Sequence, residues 1–363
     1  MNITLKRTEE QVELVKDMAS KNREVAYEAQ AALAEFIGPV LAEVINNAPV
    51  LSNMFKPLQY NADDNPSIPL DLYYDITADD YITVYSQSMP GGLPTNQVAP
   101  TATEIKVATY SLDSAVSFDR RYAAKSRLDV VGKTFTRVAQ EILLKQEKTS
   151  ANLVLGTLAD NSSENVINSA QAGRFLLADL NSLLTQSKRL HASWSGGTPD
   201  RREDGVNVLM VSPEVVQDLR AMAYNPINTY GASTSTSADS TGWGVTAPDD
   251  IRSSLYNSSG EMPSFFGVDI MEGWQLGPNR QFTNIFSGLN GGMSAGRDVL
   301  VVALNTNRDS LIRVVAVDSE SGSEFTLMAD DQYSIRQQKI GYYGSLEEGR
   351  VVLDRHVVLG TQV

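Results

Sequence analysis

The chain has 363 residues, 42% of them hydrophobic and 20% charged, enough for two or three structural units with sizeable cores and unlike a disordered polypeptide. It contains no cysteine, which excludes disulfides, thiolate metal sites and cysteine nucleophiles. A formal net charge of −14 opposes wholesale nucleic-acid binding and favours solubility, and no apolar run approaches the ~20 residues of a membrane span.

Residues 1–7 carry a basic pair without an apolar signal core, so nothing there directs the chain to a membrane or to secretion. Thr8-Glu-Glu-Gln11 is a capping box and predicts a helix start. Val12, Ala19, Ala26 and Leu33 then form one row near heptad spacing, and Val15, Ala29 and Phe36 another, with Asn22 interrupting the second. Gly38-Pro39 is expected to stop this helix, and Val40, Leu41, Val44 and Ile45 suggest a second, short one. The segment either packs on its own domain or bridges subunits.

Two alternating runs follow, Ile68-Pro-Leu70-Asp-Leu72-Tyr-Tyr74-Asp-Ile76 and Ile105-Lys-Val107-Ala-Thr109, joined by a Pro/Gly-rich tip at 89–94. They read as a long hairpin with no evident core of its own. A two-stranded arm is marginal in water unless something covers it, and in a chain of this size that cover is often another subunit. Ile68, Leu70, Leu72, Tyr74, Ile105 and Val107 are the apolar residues such a partner would cover. The pattern points to assembly rather than catalysis.

The hairpin feeds a helix expected from Asp119 to about Leu155, ~55 Å long at 1.5 Å per residue. Its apolar positions are Leu128, Val131, Phe135, Val138, Ile142, Leu153 and Leu158. Its polar face is basic for so acidic a protein: Arg120, Arg121, Lys125, Arg127, Lys133, Arg137, Lys145 and Lys148. That face is either solvated, with i,i+4 pairs such as Arg137–Glu141, or turned toward a polyanion or an acidic neighbour.

After a polar break at 160–164, Leu176, Leu177, Leu180, Leu183, Leu184 and Leu190 mark another helix. The strand Val206–Val211 precedes Ser212-Pro213, an N-cap with proline at the first helical position, and a helix from Glu214 to Ala223 with Val215, Leu219 and Met222 inward. Residues 229–247 form a Ser/Thr/Gly loop. Strands are expected at Phe265–Ile270, Val299–Leu304, Leu311–Val317, Tyr333–Ile340, Val351–Leu353 and Val357–Leu359. Helices early and strands late give an α+β class.

No catalytic, cofactor or metal constellation emerges, and no cofactor is implied. His191, at a helix end, and His356, in a terminal strand, have no reason to meet. The Asp-Asp pairs at 63–64, 79–80, 249–250 and 330–331 do not by adjacency make dyads, because neighbouring side chains diverge in helix and strand alike; Asp249-Asp250 reads as a helix start and the others as turns. The glycine run at 288–296 lacks the Gly-Lys-Ser/Thr ending of a phosphate loop.

The order of these elements resembles the major capsid proteins of tailed bacteriophages, the Hong Kong 97-type fold. Residues 331–344 and 351–359 are similar to that family's closing strands. The resemblance implies residues 1–56 as an N-terminal arm, 57–117 as an extended loop over a neighbouring subunit, and 118–200 as a peripheral domain with a spine helix. Residues 201–300 would hold most of an axial domain, and 301–363 the closing strands shared by both. It implies a non-enzymatic protein that assembles as hexamers and pentamers into an icosahedral shell around double-stranded DNA. Arg120, Arg121 and Lys125 would then face the genome. With only about 56 residues before the loop, a separate scaffolding protein is expected, besides a portal, possible decoration proteins and no membrane partner. The location would be the virion, after assembly in the host cytoplasm. A shell of encapsulin type, a carboxylate-based hydrolase and a phage tail or adhesion protein are the competing readings.

Overall fold

The computed structural model describes residues 8–46, 48, 51–61, 64–69, 104–160, 165–169, 173–194, 205–224, 264–265, 267–273, 276–277, 300–307, 310–317, 323–330 and 337–363. Most of the hairpin expected on sequence, residues 70–103, lies outside them, as do the loop at 229–247 and the glycine run at 288–296. The chain is α+β, and it divides into two compact units. The first draws on Met1–Leu70, Ala102–Leu153 and Leu311–Val351, the second on Val154–Ser310 and Val352–Val363 together with the segment between 70 and 102.

In the first unit, helix α1 (Glu9–Asp17) starts as expected: the Thr8 hydroxyl accepts the Gln11 N–H at 3.4 Å. It ends twenty residues earlier than its apolar rows predicted. The Ser20 hydroxyl accepts the Asn22 N–H, and the Asn22 side-chain Oδ1 accepts the Glu24 N–H, so Asn22 opens a new helix, α2 (Arg23–Asn46), instead of interrupting an old one. The expected stop at Gly38-Pro39 is also corrected, because α2 runs through it. Pro39 and Glu35, whose carbonyl loses its donor, both lie on the exposed face. Burial of Ile37, Leu41 and Ile45 on the other face holds the helix against a cost of roughly 3 kcal/mol. Phe36, placed in an inner row by spacing, points outward.

A five-stranded sheet forms the body of this unit. Its main path runs β1 (Lys56–Asn61), β10 (Leu311–Val317), β12 (Lys339–Val352), β11 (Thr326–Asp330), and β4 (Tyr110–Asp119) also pairs with β12. Strand β1 lies parallel to β10, and β4 is antiparallel to β12 from Asp119↔Lys339 to Tyr110↔Glu348. The two closing strands expected around 340 and 351 are one continuous strand over their described part. Asp119 caps a helix as expected, its carboxylate accepting the Arg121 N–H at 2.9 Å. That helix, α3 (Arg120–Ala124), is short, however. Ser126 adopts φ 50°, in the left-handed region that ends helices, and the long helix α4 (Leu128–Asp160) begins only beyond it. Of its predicted apolar positions Leu153 is half-buried, while Val154 and Leu155 are buried beside it.

Tyr342 of β12 anchors this core. It stacks on Phe118 at 6.2 Å, meets Phe135 edge-on at 5.2 Å, and donates its hydroxyl to the Met18 sulfur. Burial raises its pKa far above the usual phenol range.

The second unit holds a six-stranded sheet in the order β5 (Val166–Asn168), β13 (Val358–Gln362), β9 (Leu300–Leu304), β6 (Val208–Val211), β8 (Val268–Glu272), β7 (Ser264–Phe265). Every residue of β6 is buried, as expected of a strand covered on both faces and parallel to β8. Ser212 caps helix α6 (Pro213–Tyr224) through the Val215 N–H, and Val215 and Leu219 turn inward. Helix α5 (Leu177–Trp194) matches its leucine pattern. The strand expected at 265–270 is a tight hairpin, β7 to β8, turning at Gly267 with φ 77°. His356 sits in a single 3₁₀ turn (Arg355–Val357), not in a strand.

Candidate functional site

Two features of the first unit stand out: the base of the arm and a buried ionic centre beside it. Strand β2 (Ser67–Pro69) pairs antiparallel with β3 (Glu104–Lys106), with Ile68 opposite Ile105. The Val107 N–H donates to the Pro66 carbonyl at 3.1 Å, extending the ladder by one rung. Ile68 and Val107 are buried and Ile105 is half-buried, so three of the six residues expected at the intersubunit contact lie at the base of the arm. Leu70, Leu72 and Tyr74 lie outside the described residues. The chain leaves the arm over Gly349 of β12. A Cβ there would stand 2.7 Å from the Ala108 carbonyl oxygen and 2.9 Å from Val314, so only glycine lets the arm base pass this close.

One residue from Gly349 on either side, Glu348 and Arg350 point to the same face of β12. The Glu348 carboxylate is fully buried. It accepts from Arg313 Nε at 3.0 Å, Gln146 Nε2 at 3.0 Å, the Tyr110 hydroxyl at 2.9 Å and the Arg350 guanidinium at 3.2–3.3 Å. Arg313 also reaches the Asn46 side chain, at 3.2 Å. Arg350 donates to the Ser52 carbonyl at 3.1 Å and to the Ser150 hydroxyl, and its guanidinium lies 5.4 Å from the Phe55 ring centre. Glu147 completes the set by accepting the Ser52 N–H at 3.2 Å. Two guanidinium groups thus face two carboxylates, and the centre ties α2, the 51–55 turn, β4, α4, β10 and β12 together.

Burial raises the Glu147 pKa against the opposing pull of the Ser52 N–H and Arg350. Burial and the neighbouring Glu348 charge push Tyr110 up to about 12. Glu348 and Arg350 were missed in the sequence. The available signal was a same-face pair of opposite charges, at i and i+2, inside an otherwise apolar strand.

The three residues expected to face a genome separate. The Arg120 guanidinium is committed to the Ala19 and Ser20 carbonyls in the turn after α1, whereas Arg121 and Lys125 are exposed. Large apolar side chains also stand exposed in this unit, among them Phe36, Val40, Leu144 and Met328. Among the described residues no three His, Asp or Glu side chains are grouped to hold a metal. His356 Nδ1 lies 2.8 Å from Asp354, a local turn contact, and the side chain of His191 is outside the described set.

No family model matches the chain, and no curated protein matches it. Solved structures do. The capsid of an empty GTA particle is similar at a TM-score of 0.49 and 11% identity, covering 86% of this chain and 88% of that one. The capsid of the cyanophage P-SCSP1u is similar at a TM-score of 0.46 and 11% identity, covering 87% and 88%. The SrpI encapsulin of Synechococcus elongatus PCC 7942 is similar at 0.40 and 13% identity, covering 72% and 75%.

Proposed function

We propose that this chain is a non-enzymatic shell subunit, a major capsid protein of the Hong Kong 97 type. It assembles through its N-terminal segment and its extended arm into hexamers and pentamers around double-stranded DNA. One observation carries the reading. β2 and β3 pair at either end of residues 70–103, Val107 and Ala108 just beyond β3 pass close to Gly349 of β12, and the chain then continues through β4 and α3 into α4. A segment so rooted, with apolar residues on sequence and a glycine-gated attachment, is suited to being held by a neighbouring subunit. Exposed Phe36, Val40, Leu144 and Met328 add apolar surface for neighbouring subunits to cover. Arg121 and Lys125 face the packaged DNA, and Arg120 serves the fold.

Electron microscopy and light scattering of the purified protein test this. Closed shells, or rings of five and six, support it; a compact monomer at every concentration overturns it. Nucleic acid inside the shells favours a virion over a nanocompartment that packages protein cargo.

A further inference from the structure

The first unit contains a second feature that the shell reading does not require. Between the α1–α2 turn and the start of β12 lies a cavity of about 220 Å³, with Lys21, Arg23, Arg120 and Lys339 on its walls and Ser20 and Gln338 between them. Among the described residues no carboxylate lines it. In a chain of net charge −14, four cations converging on one concavity run against the overall balance. Buried Met18, Gln30 and Ile340 line its inner part, while Lys21, Arg23 and Lys339 are exposed.

Two further facts make this a formed site. Gln338 is held at φ 52°, a left-handed conformation unusual for a residue with a side chain, and its carbonyl accepts the Arg120 N–H at 3.0 Å. The same Arg120 grips the Ala19 and Ser20 carbonyls, so one arginine locks both walls. Asp119, opposite Lys339 in the β4–β12 register, spends its carboxylate on the Arg121 N–H.

We propose that this cavity binds a phosphate-type anion, with Lys21, Arg23 and Lys339 as its charged contacts and Arg120 as the residue that shapes it. The volume leaves room for one phosphate group with part of its hydration. A phosphodiester of duplex DNA and a small free phosphate share this chemistry.

Titration calorimetry of the full chain at low salt, with pyrophosphate and separately with a short DNA duplex, tests the assignment. The double variant Lys21→Gln/Lys339→Gln is expected to weaken pyrophosphate at least tenfold. The reverting Lys21→Arg/Lys339→Arg pair should restore it. If the duplex is the natural source, it competes with pyrophosphate and the double variant lowers its salt slope by about two. Pyrophosphate binding without duplex competition assigns the site to a small free anion. Wild type that binds neither probe, or a folded double variant that binds both as wild type does, overturns the proposal. Light scattering on the same samples reads assembly separately, so a failed anion site and a failed shell reading give different results.

Discussion

The two units solve the problem of a unique fold differently. The second is held by aliphatic side chains: β6 and β9 are buried along their described lengths, and its core joins Leu180, Leu183, Leu209, Val301 and Leu359. The first has such a core too, around Tyr342, but runs a buried ionic centre through six segments beside it. Aliphatic burial is non-directional and tolerates small shifts of register. A carboxylate with four donors does not, because a displaced strand leaves charges buried without partners. The directional centre lies where the arm is rooted, one residue either side of Gly349. The contrast teaches that the first unit sets its directional, buried charge beside the close backbone passage at Gly349, where the second unit relies on aliphatic burial alone.

The largest effect should come from removing the shared acceptor. Glu348→Ala strands Arg313 and Arg350 and is expected to destabilise the first unit by about 3–5 kcal/mol. Hydrogen exchange should rise along β4 and β12 while β6 and β9 keep their protection; a uniform rise would erase the contrast. In the second unit Leu209→Ala should cost about 2–5 kcal/mol by leaving a cavity, with the reverse exchange pattern. Gly349→Ala forces the arm base off β12 and should cost about 1–3 kcal/mol, read as a lowered denaturant midpoint.

The smallest effects concern titration. The raised pKa of Glu147 means that its contribution is present below its unfolded value and is lost as pH rises through the folded one. Glu147→Gln should therefore gain stability relative to wild type as pH rises past the unfolded carboxyl's ~4.3, and stay within about 1 kcal/mol of it, unlike Glu348→Ala. Tyr110 likewise contributes below its unfolded value near 10 and loses that contribution as pH rises toward about 12. Tyr110→Phe should flatten that alkaline loss in a denaturation series.

Much of the architecture was legible. The Thr8 and Ser212 caps, the leucine pattern of α5 and the apolar stripe of α4 rest on local chemistry, and they appear where spacing placed them. The errors arose where tertiary burial outweighed a local signal. Pro39 did not stop α2, since apolar faces either side of it are buried together. The Asn22 break was invisible to a row count, as it depends on side-chain caps at Ser20 and Asn22. Strand β4 was overlooked behind the long helix, although Leu112 and Phe118 alternate with polar neighbours. The ionic centre could not be read whole, because its members are spread from Asn46 to Arg350 and only the fold brings them together.

The central claim is that the arm rooted beside Gly349 joins one subunit to the next. Sedimentation velocity on a variant with residues 70–103 replaced by a two-residue turn tests it most directly. The account predicts a protein with unchanged circular dichroism and thermal midpoint that no longer forms shells. Shells of unaltered size and yield from that variant would contradict it.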